Sequence, residues 1–276
     1  MIKDIVVNLS VAPARDVAGD FAVSIAAAFN AHIAGIAFVY DPIPTLVTME
    51  GVPSALIESL RNENEAAAQA VLANFDQLTK RNGLSAEART LAASFVGASD
   101  AFASIARRYD LSVVGQAEPN RVAAEEFIAE AALFESGRPV VVVPYIQRAG
   151  LKLDRIMVCW DGSRNAARAI ADAMPFLLRA KSIDVVVVAG EPGKSDEIAG
   201  ADIAQHLARH GLNVELRRLL SRDMDVANTL LSHAADSSAD FIVMGGYGHS
   251  RLREFILGGA TRSILTSMTV PTLLSH

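Results

Sequence analysis

Lys80-Arg-Asn-Gly-Leu-Ser-Ala-Glu-Ala-Arg-Thr-Leu91 is answered later in the chain by Ala208-Arg-His-Gly-Leu-Asn-Val-Glu-Leu-Arg-Arg-Leu219. Each stretch reads as the end of a helix, a glycine that closes it, a leucine and then a strand. Glycine just past a helix accepts the left-handed conformation that ends the hydrogen-bond ladder, so Gly83 and Gly211 mark equivalent points. Asp110-Leu-Ser-Val-Val-Gly115 is matched in the same way by Asp240-Phe-Ile-Val-Met-Gly245, and Pro139 with its valines by Pro271-Thr-Leu-Leu274. The chain is therefore read as a tandem duplication with a joint near Ile146–Leu153.

Working outward, Ile5–Leu9 is a short apolar run of the kind a strand buried on both faces requires. Ala18–Ala31 has helical spacing, and Ile33–Tyr40 is a second buried strand. A strand, helix, strand order implies a right-handed crossover between parallel strands. A long helix over Leu56–Arg81, a strand at Ala86–Leu91, a helix over Ala98–Arg108, a strand at Leu111–Gly115, a helix from about Arg121 to Phe134 and Val140–Val143 complete a βαβαβαβαβ order. The second copy repeats it through Arg155–Trp160, Asn165–Arg179, Asp184–Ala189 and Asp202–His210. Pro175 inside the first of these helices predicts a kink. Nearly all the size difference between copies falls in Asp41–Asn64, rich in Pro and Thr before it turns helical. It reads as a surface excursion, with a lid or partner-binding loop as the alternative.

The totals narrow the function. The 276 residues suit two domains of about 130 to 145 residues. A net charge of -6 and no concentrated basic face argue against a nucleic-acid partner. Cys159 is the only cysteine, which rules out an intramolecular disulfide and a cysteine metal cluster and fits a reducing compartment. The N-terminus lacks the pattern of a secretory leader, and no apolar run approaches the roughly 20 residues of a membrane span, so a cytoplasmic location and no membrane partner are expected.

One stretch carries chemistry. Val243-Met-Gly-Gly-Tyr-Gly-His-Ser-Arg-Leu-Arg-Glu-Phe-Ile-Leu-Gly-Gly-Ala-Thr-Arg-Ser-Ile-Leu265 follows a buried strand and leads into a helical pattern. Glycines let backbone N–H groups approach an anion, and the helix that follows points its positive end at the same place. Gly245, Gly248 and Gly258 read G-x-x-G-x9-G, which is neither of the common phosphate fingerprints. His249, Ser250 and Arg251 fall at the helix entry, where they would supplement backbone donors or simply be solvated. Asp161, at the carboxyl end of the second copy's first strand, would accept from an amine or a ribose hydroxyl, or else N-cap the next helix, a role Ser163 fills equally well. Gly190-Glu-Pro-Gly-Lys-Ser195 ends like a P-loop, but Val188 stands where the first glycine is needed. His206 and His210 are four residues apart without a carboxylate pattern, so no metal site is assigned, and no haem, flavin or zinc is expected. No catalytic residue is assigned, because neither a general base nor a metal-binding carboxylate pair emerges.

These residues resemble a tandem universal stress protein, two such domains fused in one chain. The resemblance covers the whole chain and is strongest in the second copy. It implies, for each copy, an open five-stranded parallel sheet flanked by helices, Rossmann-like and of the adenine nucleotide alpha hydrolase-like kind. The two domains would be residues 1–147, degenerate, and 151–276, carrying the glycine motif. Family members pair their last strands across a dimer axis, so Val140–Val143 and Thr272–Leu274 would pair here as an intrachain pseudo-dimer that can itself dimerise. By resemblance Asp161 and the backbone near Val188 meet adenine, Met244, Gly245 and Gly258 the ribose, and Gly248, His249, Gly259 and Ala260 the phosphates. The implied ligand is ATP, ADP or AMP, with or without Mg2+. Gly259 departs from the family's Ser or Thr and removes a hydroxyl from the phosphates, and Trp160 crowds the adenine side. In the first copy Glu118 replaces the second glycine, Asn8-Leu9-Ser10 replaces Trp160-Asp161-Gly162, and Glu118, Glu125 and Glu126 repel phosphate, so at most one site per chain is expected. The implied function is a stress-response regulator that binds a nucleotide and an unidentified protein partner without robust catalysis; the alternative is a nucleotide-independent interaction scaffold.

Overall fold

The computed structural model describes residues 1–11, 15–40, 53–118, 124–189, 200–220, 225–246 and 259–276. Contacts divide the chain into two units, Ile2–Arg138 and Pro139–His276 with Met1. In the N-terminal unit β1 (Asp4–Leu9), α1 (Val17–Phe29), β2 (His32–Tyr40), α2 (Ser54–Arg81), β3 (Ala86–Ala93), α3 (Phe95–Ala106), β4 (Leu111–Gly115) and α4 (Glu125–Glu135) alternate as expected. The strands lie in the order β3-β2-β1-β4 and every pair is parallel. The C-terminal unit contains β5 (Val140–Val143), β6 (Arg155–Cys159), α5 (Arg164–Leu177), β7 (Ser182–Ala189), α6 (Ala201–Arg209), β8 (Val214–Leu220), α7 (Val226–Asp236), β9 (Phe241–Gly245), α8 (Gly259–Ser267) and β10 (Thr272–Ser275). Its order is β5-β10-β9-β6-β7-β8.

The β5–β10 pair is antiparallel, with Thr272 opposite Val142, Leu273 opposite Val141 and Leu274 opposite Val140. This is the intrachain pairing anticipated for a pseudo-dimer. Val140–Val143 are all buried, so the pairing shields a strand that would otherwise present an apolar edge. The inner strands β1, β4, β6 and β9 are buried almost throughout, as parallel strands covered on both faces must be. The outer strands β3 and β8 carry Glu87 and Arg89, and Glu215, Arg217 and Arg218, on exposed positions.

The two units share a hydrogen-bond pattern. Asp110 Oδ2 accepts from the backbone N–H groups of Lys3 (2.7 Å) and Asp4 (3.1 Å), and Asp240 Oδ2 accepts from that of Arg155 (3.0 Å). The N–H of each aspartate in turn donates to the carbonyl of Asp4 or Arg155 at 2.9 Å. One clasp thus ties the start of β4 to β1 and the start of β9 to β6. Gly83 and Gly211 sit at φ +64 and +78, the left-handed conformation that the paired Gly-Leu signals required. The clasp also fixes register: Asp4 corresponds to Arg155, so Ser10 corresponds to Asp161. The alignment of Asn8-Leu9-Ser10 with Trp160-Asp161-Gly162 is therefore one residue out, and Leu9-Ser10-Val11 stand in those places.

Helix starts follow from their caps. Asp16, Ser94, Ser163 and Asp225 each accept from the backbone N–H three residues on, at the heads of α1, α3, α5 and α7. α5 runs on through Pro175, which stands in its last turn, two residues before Leu177 ends the helix. Phe21, Phe38 and Phe102 anchor the N-terminal core, and Phe176 stacks on Phe241 at 5.1 Å in the C-terminal one. Among the described residues no helix is long and apolar enough to cross a membrane.

Candidate functional site

Three adjacent parallel strands, β9, β6 and β7, lead to Asp161, Val188, Met244 and Gly245 at one edge of the C-terminal sheet. Cys159 pairs with Val186 and Val158 with Val243. Carrying those registers on by two residues brings Asp161 level with Val188, and Trp160 level with Gly245. This edge is the carboxyl one, where parallel sheets bind ligands.

After β6, Trp160 donates its backbone N–H to the Val186 carbonyl at 2.9 Å. Gly162 then turns the chain at φ +75. Asp161 Oδ1 accepts from the Ser163 N–H at 2.9 Å, and Ser163 Oγ accepts from the Ala166 N–H at 3.1 Å. Between the two roles open to Asp161, the cap of α5 therefore belongs to Ser163, while Asp161 braces the turn and stands exposed at the rim. The Trp160 indole lies beside Gly200, its Cδ1 3.8 Å from where a Cβ would stand.

Burial, with a further contribution from the charge of Asp161, pushes the Cys159 thiol up to about 12. A buried thiol this reluctant to ionise is a packing group rather than a nucleophile.

Met244 is buried and Gly245 half-buried at the end of β9. A Cβ on Gly245 would lie 2.5 Å from the Ala166 nitrogen and 2.7 Å from the Asn165 carbonyl carbon. The first turn of α5 therefore rests directly on this glycine. Gly246 follows, its N–H donating to the Ser275 carbonyl at 2.8 Å. Gly259 and Ala260 are the first two residues of α8, and the buried Thr261 is the third. Gly248, His249 and Gly258, with Ser250 and Arg251, lie outside the described residues, as does the Gly190–Ser195 turn. His206 on α6 and His210, the C-cap of that helix, sit edge to face, ring centroids 4.9 Å apart. Among the described residues no group of three or more His, Cys, Asp or Glu side chains is placed to hold a metal.

Asn165 and His276 also shape this edge, and motif spacing singled out neither. Asn165 is buried, and its Nδ2 donates to the Gly246 carbonyl at 2.6 Å while standing 2.9 Å from His276 Nδ1. His276 Nδ1 is also 3.1 Å from that carbonyl. The network ties the head of α5, the exit of β9 and β10 into one corner. The available signal was phase: Asn165 falls on the same stripe as the buried Ala166, Ala169, Ile170, Ala173, Phe176 and Leu177. Asn165→Ala removes the amide donor from the buried Gly246 carbonyl, and a loss of about 1–2 kcal/mol is expected in denaturant unfolding followed by the fluorescence of Trp160, the only tryptophan.

In the N-terminal unit the corresponding edge differs. Ser10 stands in the place of Asp161, and the N-cap of α1, Asp16, lies further along the chain than Ser163 lies from Asp161. Glu125 and Glu126 occupy the first turn of α4.

Comparison with known proteins follows the same division. Residues 152–276 match the model of the universal stress protein family. A curated relative, universal stress protein Slr1230 of Synechocystis sp., is 23% identical over 138 residues, which are 49% of this chain and 46% of that protein, so the chain spans about half the length of that relative. A universal stress protein structure from Archaeoglobus fulgidus DSM 4304 superposes with a TM-score of 0.72 at 17% identity, covering 99% of this chain and 95% of the other. A putative universal stress protein from Pseudomonas aeruginosa UCBPP-PA14 gives 0.63 at 13% identity, covering 99% and 93%. The whole chain thus shares its fold with universal stress proteins, and the part matched by the family's own sequence pattern is the part that carries Asp161 and the glycine stretch.

Proposed function

We propose that the C-terminal unit binds an adenine nucleotide along the carboxyl ends of β6, β7 and β9, and that occupancy regulates the chain's affinity for a protein partner in a stress response. The observation that carries this reading is the convergence of Asp161, Val188 and Met244–Gly245 on one sheet edge, beside the glycine stretch, within the residues that match the family. A carboxylate at the rim suits the amine and hydroxyl donors of adenine and ribose. The first turn of α8, opened by Gly259 and Ala260, offers backbone N–H groups to phosphate. Asp161 has no cluster of further acidic ligands around it among the described residues, so Mg2+ would arrive with the phosphates rather than in a protein-built site.

Calorimetric titration with ATP, ADP and AMP tests the proposal, and no heat at millimolar nucleotide would sink it. Asp161→Ala is expected to weaken each nucleotide by about tenfold, or about 1.4 kcal/mol, through loss of a charge-assisted acceptor. Gly259→Ser restores the hydroxyl usual in the family's nucleotide-binding branch. It is expected to tighten ATP by about fivefold to tenfold and leave adenosine unchanged. Equal gains for both ligands would mean that α8 does not face the phosphates.

Gly259 and the altered first copy favour a second reading, a scaffold whose partner binding ignores nucleotide. The discriminating measurement is a pull-down with and without saturating ATP. Identical partners and affinities in both would support the scaffold.

A further inference from the structure

The N-terminal unit contains a cleft of about 290 Å3 between the entry and first turn of α1 and the last three turns of α2. None of its lining residues is on a strand, so it is a different kind of place from the sheet edge described above. Phe75 and Leu78 contribute apolar walls, and Phe75 is buried. The polar lining can be sorted by charge. Arg15 and Asp20 pair with each other, Nε to Oδ2 at 2.6 Å. Asp16 Oδ1 accepts from the N–H groups of Gly19 (3.0 Å) and Ser10 (3.4 Å), while its Oδ2 takes no hydrogen bond among the described residues. The side chain of the exposed Arg81, in the last turn of α2, has neither a hydrogen bond nor an ion pair among the described residues. One carboxylate oxygen and one guanidinium are left over in the same cleft.

We propose that this cleft binds a small zwitterion of the α-amino acid class, its ammonium on Asp16 and its carboxylate on Arg81, with its side chain against Phe75 and Leu78. With Arg15 and Asp20 matched to each other, a simple anion would suit Arg81 and leave Asp16 unmatched, and a simple cation would suit Asp16 and leave Arg81 unmatched. A zwitterion satisfies both leftover groups without adding net charge, and guanidinium to carboxylate is a favourable bidentate pairing. The volume lies at the lower end of the range for small-ligand pockets. Burial holds the Asp16 carboxyl up to about 7 against the Gly19 and Ser10 N–H groups, and the charges of Asp20 on α1 and Glu125 on α4 add to it. An ammonium favours the ionised form, so binding is expected to strengthen from pH 6 to pH 8.

The test uses the full chain, isotope-labelled, with the amide signals of Ser10 and Gly19 as reporters. Glycine, L-leucine and L-glutamine are titrated separately to millimolar concentration. Saturable shifts with at least one of them are expected, with N-acetyl-leucine, which lacks the ammonium, and leucinamide, which lacks the carboxylate, each weaker by about tenfold than L-leucine. Asp16→Asn, which retains a capping side chain, and Arg81→Gln, an exposed change, are each expected to lower affinity by a similar factor. No saturable shift with any of the three amino acids would overturn the proposal. So would equal binding of both blocked analogues, or unchanged binding in both variants. The site lies in the unit without the glycine motif, so this result and the nucleotide titration stand or fall separately.

Discussion

Gly245→Ala is expected to destabilise the C-terminal unit by about 3 kcal/mol, whereas Gly115→Ala, its counterpart in the N-terminal unit, is expected to cost less than about 1 kcal/mol. The two glycines occupy the same place in their units, at the end of β9 and of β4. Their surroundings differ. A methyl on Gly245 would meet backbone, the Ala166 nitrogen at 2.5 Å and the Asn165 carbonyl carbon at 2.7 Å. Backbone at the head of α5 cannot swing aside as a side chain can; it is held by the Ser163 cap and by Asn165. On Gly115 the nearest atoms are Ser10 Oγ at 3.4 Å and Ala18 Cβ at 3.7 Å, ordinary packing distances. Trp160 fluorescence reports the first unfolding in urea, and amide exchange in β4 reports the second. Equal tolerance at both positions would show that α5 does not sit down on Gly245. The comparison also sorts the glycine motif by cause. Gly245 is required for helix–strand packing whether or not a ligand is present, so the nucleotide reading gains its support from the glycines that follow and from Asp161. A nucleotide titration of Gly245→Ala would therefore report folding, and Asp161→Ala is the cleaner probe.

How legible all this was in the sequence depended on range. Helix ends closed by Gly83 and Gly211 are local events, decided by one residue's freedom to adopt positive φ, and both were readable as such. The order of strands and helices was readable because buried parallel strands are nearly continuous apolar runs. Register was not, because a run such as Ile5–Leu9 looks alike when slid by one residue. The Asp110 and Asp240 clasps settle it through hydrogen bonds to residues far away in sequence. The same distinction governs the candidate site. Asp161 was visible from its position at a strand end, but the choice between capping and bracing rested on the turn at Gly162. Asn165 looked like an ordinary polar residue in a first turn, and its role follows from Gly246 and His276, which no local pattern connects to it. Asp16 was overlooked altogether. A capping aspartate at a helix entry is ordinarily solvated, whereas Asp16 is half-buried in a cleft that it lines with residues of α2 far away in sequence.

That seclusion makes the stability of the N-terminal unit depend on pH in the direction opposite to most carboxylates. Burial raises the Asp16 carboxyl from the usual carboxylate range to about 7, against the lowering effect of the Gly19 and Ser10 N–H groups and with smaller contributions from the charges of Asp20 and Glu125. In the unfolded chain it titrates near its ordinary value of about 3.9. Between these limits the folded state binds more protons than the unfolded one, so stability falls as pH rises. The contribution is fully present below about pH 4 and is lost as pH climbs through about 7. One pKa unit corresponds to about 1.4 kcal/mol, so this group alone is expected to make the unit up to about 3 kcal/mol more stable at pH 5 than at pH 8. Asp16→Asn keeps an oxygen acceptor for the Gly19 N–H and has no proton to exchange. The variant is expected to lose that slope, so its stability gains on the parent as pH rises from 5 to 8. Amide exchange of α1 at several pH values, each compared between the two proteins at equal intrinsic exchange rate, reads the difference directly. Parallel stability curves would show that Asp16 is hydrated when folded, and would remove both the pH response and the reason to expect that amino acid binding strengthens with pH.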